Sequence, residues 1–157
     1  EPRVYGDWLK SEGISQILTK YITGNHGWIK GWQSGWEQWP IIWDSQIVES
    51  NAKFSPKTAE LLKSISNIKV AAFASMKANV KLKQHTDPVG PGYRFTYHLG
   101  LKCPKGCFLH HQTLGDVEEE DGKHVIMNAR YPHWAENTSE EDRVILYIEY
   151  YISTTRR

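Results

Sequence analysis

The chain has 157 residues, 39% of them hydrophobic and 24% charged, and carries a net charge of +1. That supports one core of ordinary globular composition, and the near-neutral balance removes any electrostatic case for nucleic acid or an anionic membrane as partner. The longest apolar runs, at 70–76 and 144–148, are far too short to span a bilayer. No basic-then-apolar leader stands at Glu1, and a cytoplasmic location is expected.

The first part of the chain reads as helical and irregular. Trp8, Ile14, Ile17, Leu18, Tyr21 and Ile22 recur at helical spacing, and Gly24 with Asn25 supplies a stop. Five of the seven tryptophans follow, at 28, 32, 36, 39 and 43. Spacings of four and three place such rings along one helix face. Gly27, Gly31 and Gly35 interrupt that helix, so a glycine-jointed flap is the alternative. Either way the stretch is expected to cover the mouth of a barrel. Ser55-Pro56 then opens a second helix, with Ser as cap, Pro in the first turn, and Ala59, Leu61, Leu62 and Ile65 as its apolar face.

From Ile68 the texture changes. Residues 68–76, 80–84, 93–102, 107–111, 124–128 and 143–152 form short runs rich in β-branched and aromatic residues. Turn-forming sequences at 87–92, 104–106 and 121–122 punctuate them. Strands at this spacing predict a mainly β fold, a sandwich or jelly-roll barrel behind N-terminal helices. A single domain is expected over 1–157, with a helical, Trp-rich part at 1–67 and the β-barrel at 68–157. Cys103 and Cys107 frame one turn. They are read as two free thiols, with a disulfide as the weaker alternative. The acidic run 116–121 reads as solvated, or as attracting a basic substrate segment.

The chemistry gathers around His85-Thr86-Asp87. On a strand, residues i and i+2 point to the same face, so this imidazole and this carboxylate project side by side. Completed by a distant histidine, the pair becomes the two-histidine-one-carboxylate set that leaves positions open on Fe(II). His133 is that histidine, and Arg143 follows it by ten residues at the start of an apolar strand. A guanidinium fork matches a carboxylate bidentately, which suits the far end of 2-oxoglutarate. The bland reading is a surface turn in which Asp87 braces the Pro-Gly loop. His110 and His111, adjacent on a strand, point to opposite faces and are read as structural or exposed.

The run Arg94-Phe95-Thr96-Tyr97-His98-Leu99-Gly100-Leu101, then Asp121-Gly122-Lys123, then His133 with Asn137 and Arg143-Val144-Ile145-Leu146, resembles the aspartyl/asparaginyl β-hydroxylase family. The similarity spans roughly 68–152. It implies a double-stranded β-helix (jelly roll, cupin-like) and a dioxygenase using Fe(II), 2-oxoglutarate and O2 to hydroxylate unactivated C–H bonds. It implies iron on His85 and His133, and 2-oxoglutarate on Arg143 and His98, with Ser75 as a nearby hydroxyl. His98 as a plain core histidine is the alternative. The best-known animal member has Gly where this chain has Asp87, and Arg where it has Thr96. The full triad favours hydroxylation, while Thr96 leaves Arg94 to substitute as a substrate contact, with Trp134 as a pocket wall. The expected partner is a peptide or amino-acid substrate. The competing reading is a non-catalytic binding module that recognises a peptide or sugar through its tryptophan-rich face.

Overall fold

A computed structural model describes residues 20–21, 23–87 and 94–152. The helix expected around Trp8 to Ile22 lies almost wholly outside them. Eleven strands are described: β1 (Ile29–Lys30), β2 (Trp36–Trp43), β3 (Gln46–Ile47), β4 (Ile68–Met76), β5 (Val80–His85), β6 (Arg94–Lys102), β7 (Cys107–His111), β8 (Gly115–Glu118), β9 (His124–Met127), β10 (His133–Asn137) and β11 (Arg143–Tyr151). Two short helices, α1 (Glu49–Ala52) and α2 (Pro56–Lys63), separate β3 from β4.

The larger sheet runs β1-β2-β4-β11-β6-β9, with β3 on the side of β2, and the smaller runs β5-β10-β7-β8. All pairings are antiparallel. Each sheet turns one face inward, so side chains alternate between core and exterior. Ala74, Met76 and Ile145 of the larger sheet meet Leu82, Leu109 and Ala135 of the smaller between the two. The outer face of the larger sheet is covered by the helices, where Ile41, Ala71 and Ile148 pack on Ala52, Ala59 and Leu62. This is a double-stranded β-helix with helices on one flank. The expected helix start is met as well: Ser55 is the N-cap residue of α2 and Pro56 opens its first turn, although the Ser55 hydroxyl makes no capping bond.

The tryptophan stretch corrects the sequence reading. It is not a helix: Trp36, Trp39 and Trp43 lie on β2, within Trp-Glu-Gln-Trp-Pro-Ile-Ile-Trp. The helical spacing is a coincidence, because the rings do not share a face. Trp36 packs into the inter-sheet core, Trp39 against the outer core and Trp43 against Ile29. Aromatic and β-branched residues favour a strand, and the glycines work against a helix. A Cβ on Gly31 would stand 2.2 Å from the Trp36 ring, and Gly35 sits at φ +84. Cys103 and Cys107 are free thiols. Burial pushes Cys103 up to about 12 and Cys107 up to about 11, so both stay protonated near neutrality.

Candidate metal centre and anion pocket

β5 and β10 are neighbours in the smaller sheet, and their pairing sets His85 opposite His133. The ring centroids lie 4.3 Å apart. Each imidazole is fixed the same way. His85 Nδ1 lies 2.6 Å from the Lys83 carbonyl oxygen, and His133 Nδ1 lies 2.8 Å from that of Tyr131. A carbonyl only accepts, so each Nδ1 carries a proton, and in the neutral imidazole the lone pair then lies on Nε2. Both Nε2 atoms face Asp87 Oδ1, at 3.4 and 3.8 Å. Asp87 is held in turn by its backbone N–H, which donates to Ala129 O at 2.9 Å.

One ligand atom from each of the three lies within 4.8 Å of the other two. Burial first, and the proximity of His85, hold the His133 pKa below its usual value against the opposing pull of Asp87. A neutral imidazole with a free Nε2 is the form that binds metal. Two nitrogens and a carboxylate oxygen on one side of a cavity suit a divalent transition metal with open positions. Fixing the ligand tautomers through backbone carbonyls is what a metal site requires of its surroundings. Trp32 stands edge-on to His85 at 4.6 Å and walls the same corner.

The cavity extends inward from this cluster between the sheets. His85, Asp87, His98, His133 and Arg143 all line it, with Trp36, Gln38 and Tyr147 among the walls. The structure therefore brings together five of the expected site residues, four on strands β5, β6, β10 and β11 and Asp87 just past the end of β5. Arg143 opens β11 pointing inward and is fully buried. Its Nη1 donates to Glu119 Oε1 at 2.8 Å, while Nε and Nη2 have no hydrogen-bond partner among the described residues. The Arg143 guanidinium lies 5.2 Å over the Trp36 ring. His98 on β6 is buried too. Its Nδ1 is 3.6 Å from Glu119 Oε2, and neither ring nitrogen has a hydrogen-bond partner among the described residues. Buried donors without acceptors are costly, and this group of them matches an anionic ligand such as a carboxylate.

Sequence reasoning missed Glu119, the buried partner of Arg143, and its burial corrects the solvated reading of 116–121 at that residue. It is 5% exposed, at the end of β8. Burial favours its neutral form, but the charge of Arg143 and the nearby His98 ring outweigh that and hold its pKa at about 2. The local signal was the alternation that carries on from Val117.

Three expectations fare differently. Ser75 is buried on β4 but sits in register between Glu37 and Val144, whereas the inward positions are Ala74 and Met76. A one-residue offset on a strand moves a side chain to the other face, so Ser75 does not join the cavity and Gln38 on β2 contributes the polar group there. Trp134 reaches the rim, but its ring turns to the other face of β10, stacked 3.7 Å from His110 with Lys81 Nζ 4.4 Å from its centroid. The Arg94 side chain lies outside the described residues. His110 is held between Asp116 and Glu136, and His111 between Asn128 and Thr113, so both are structural.

The sequence pattern of the aspartyl/asparaginyl beta-hydroxylase family matches residues 11–152. The chain belongs to that family. Solved structures agree on the fold. A predicted oxalate decarboxylase from Thermotoga maritima is 14% identical, with 74% of this chain covered, 81% of that one and a TM-score of 0.50. KdgF from Halomonas sp. is 8% identical, with 85% and 94% covered and a TM-score of 0.52. The cupin domain of Schizosaccharomyces pombe Cnp3 is also 8% identical, with 76% and 67% covered and a TM-score of 0.51. No curated protein matches the chain by sequence. Family and fold together support a cupin-type hydroxylase. Among the described residues, no helix is long and apolar enough to cross a membrane.

Proposed function

We propose that this chain is an Fe(II)- and 2-oxoglutarate-dependent hydroxylase that oxidises an unactivated C–H bond of an aspartyl, asparaginyl or other amino-acid or peptide substrate. The observation that carries the reading is a coincidence in one cavity. Three metal-binding atoms lie within 4.8 Å of one another, and a buried arginine in the same cavity has two unpartnered nitrogens. A structural metal alone would not need the arginine, and an anion site alone would not need the triad.

In this reading His85, His133 and Asp87 would hold the iron. When bound, iron, 2-oxoglutarate and O2 would supply the oxidising power, with succinate and CO2 formed alongside the hydroxylated product. Nε and Nη2 of Arg143 would hold the distal carboxylate of 2-oxoglutarate, and His98 would offer a ring nitrogen beside it. Trp36, Leu82, Leu109 and Met127 give the cavity apolar walls that keep water from the reacting end. Trp32 holds the His85 ring in place. Substrate enters from the side where Asp87 is 20% exposed.

Succinate release and product mass, measured with Fe(II), 2-oxoglutarate and O2 against a panel of aspartyl and asparaginyl peptides and free amino acids, test the proposal. Succinate coupled to the gain of one oxygen atom in a panel member supports it. Oxygen incorporation that proceeds equally well without 2-oxoglutarate would overturn it.

A further inference from the structure

The arginine assigned to the 2-oxoglutarate carboxylate already holds a carboxylate of its own chain. A buried ion pair of this kind is seldom retained for stability, because desolvation cancels much of its attraction. Its geometry is informative. Glu119 Oε1 takes Nη1 alone, at 2.8 Å. The two atoms left without partners, Nε and Nη2, make up the side-on edge of the guanidinium, the edge that binds a carboxylate through two parallel bonds. Glu119 therefore does not occupy the place an incoming carboxylate needs. Its other oxygen lies 3.6 Å from His98 Nδ1, so one side chain spans both groups that face the cavity.

We propose that Glu119 is the positioning residue of the co-substrate pocket: it fixes the rotation of Arg143 so that the Nε–Nη2 edge faces the cavity, and sets His98 beside it. An arginine side chain has several soft torsions and loses entropy when it is fixed at the moment of binding. Glu119 fixes those torsions beforehand. It also lowers the net charge of the pocket, so that binding depends on the aligned edge and less on a bare positive charge. The inference rests on the proposed binding of 2-oxoglutarate by Arg143.

The test is the affinity of the Fe(II)-loaded protein for 2-oxoglutarate without oxygen, followed by calorimetry, together with Fe(II) affinity. Glu119→Gln exchanges an ion-paired hydrogen bond for one in which only the arginine is charged, and is expected to weaken 2-oxoglutarate by about fivefold. Glu119→Ala is expected to weaken it by more than tenfold. Fe(II) affinity should stay within twofold in both, and millimolar formate, filling the vacated space, should restore part of the loss in the Ala variant. If Glu119→Ala does not fold, the nearly isosteric Gln variant decides. A purely structural Glu119 would lower thermal stability and leave the affinity of the folded variants at the wild-type value, which overturns the proposal. Tighter binding in either variant, or formate that competes with 2-oxoglutarate, also overturns it, by showing that Glu119 rivals the co-substrate. Failure of the wild-type protein to bind 2-oxoglutarate refutes the underlying function instead.

Discussion

The carbonyls of Lys83 and Tyr131 matter as much to His85 and His133 as the metal they are proposed to hold. Each accepts a hydrogen bond from Nδ1 and turns Nε2 toward Asp87, so the ligand set is prepared by backbone geometry before any ion arrives. Replacing His85, Asp87 or His133 with Ala is expected to abolish iron-dependent turnover. Succinate formation that persists in any of the three would contradict the assignment. Arg143→Ala should act twice. It removes the grip on 2-oxoglutarate, and it leaves Glu119 buried without its partner, at a cost of about 3–5 kcal/mol. Denaturant unfolding checks the second effect, and a double variant that also carries Glu119→Ala should recover part of the loss. The pair also sets an acid dependence. The folded-state pKa of Glu119, about 2, lies below the ordinary 4.5. Between those values the unfolded chain binds more protons, so stability rises with pH across that window. The contribution is complete above it and lost as pH falls through it. Urea midpoints across the window should fall more steeply for the wild type than for Glu119→Gln.

At the scale of elements, most strands from Ile68 onward were legible because β-branched residues and turn residues alternate there, and β4 and β7 run as the sequence predicts. Five strands were not, among them β1 and β3, which at two residues each are too short to leave a periodic signal. β2 was hidden by tryptophans that happen to fall at helical spacing, and β8 by an acidic composition that reads as solvated. β10, His-Trp-Ala-Glu-Asn, contains no β-branched residue at all, yet it is the centre of the smaller sheet's site. The grouping of His85, Asp87 and His133 was legible from the two-residue spacing of the first pair, although β5 ends at His85 and Asp87 lies just beyond it. Ser75 and Glu119 were not, since one depends on the register of β4 and the other on which strand crosses above it. Gly100 shows how tightly that crossing is set. A Cβ there would stand 2.0 Å from the Glu120 carbonyl oxygen. The backbone is anchored at the same point, where Gly100 N–H donates to Lys123 O and the Gly100 carbonyl oxygen accepts from Gly122 N–H. Gly100→Ala is expected to push the 119–123 segment outward, destabilise the fold by about 1–3 kcal/mol, and weaken 2-oxoglutarate with it. Unfolding and binding measured on the same variant check both, and unchanged 2-oxoglutarate affinity would separate Glu119 from the site.

For the whole molecule, the two sheets divide the work. The smaller sheet carries His85 and His133, and the larger carries His98 and Arg143. A ligand that bridges metal and arginine therefore ties the sheets together across the core. Anything that binds the folded state stabilises it by mass action, about 2.7 kcal/mol at a hundredfold excess over Kd. For a chain of this length that is a Tm rise of about 5–10 °C. Mn(II) with 2-oxoglutarate should give such a rise, a chelator should reverse it, and the His133→Ala variant should show none. The most direct measurement is the visible spectrum of the protein with Fe(II) and 2-oxoglutarate in the absence of oxygen. The expected result is a weak charge-transfer band in the wild type that is missing in His85→Ala and His133→Ala. No band in the wild type, or the same band in the histidine variants, would contradict iron and 2-oxoglutarate meeting at this site.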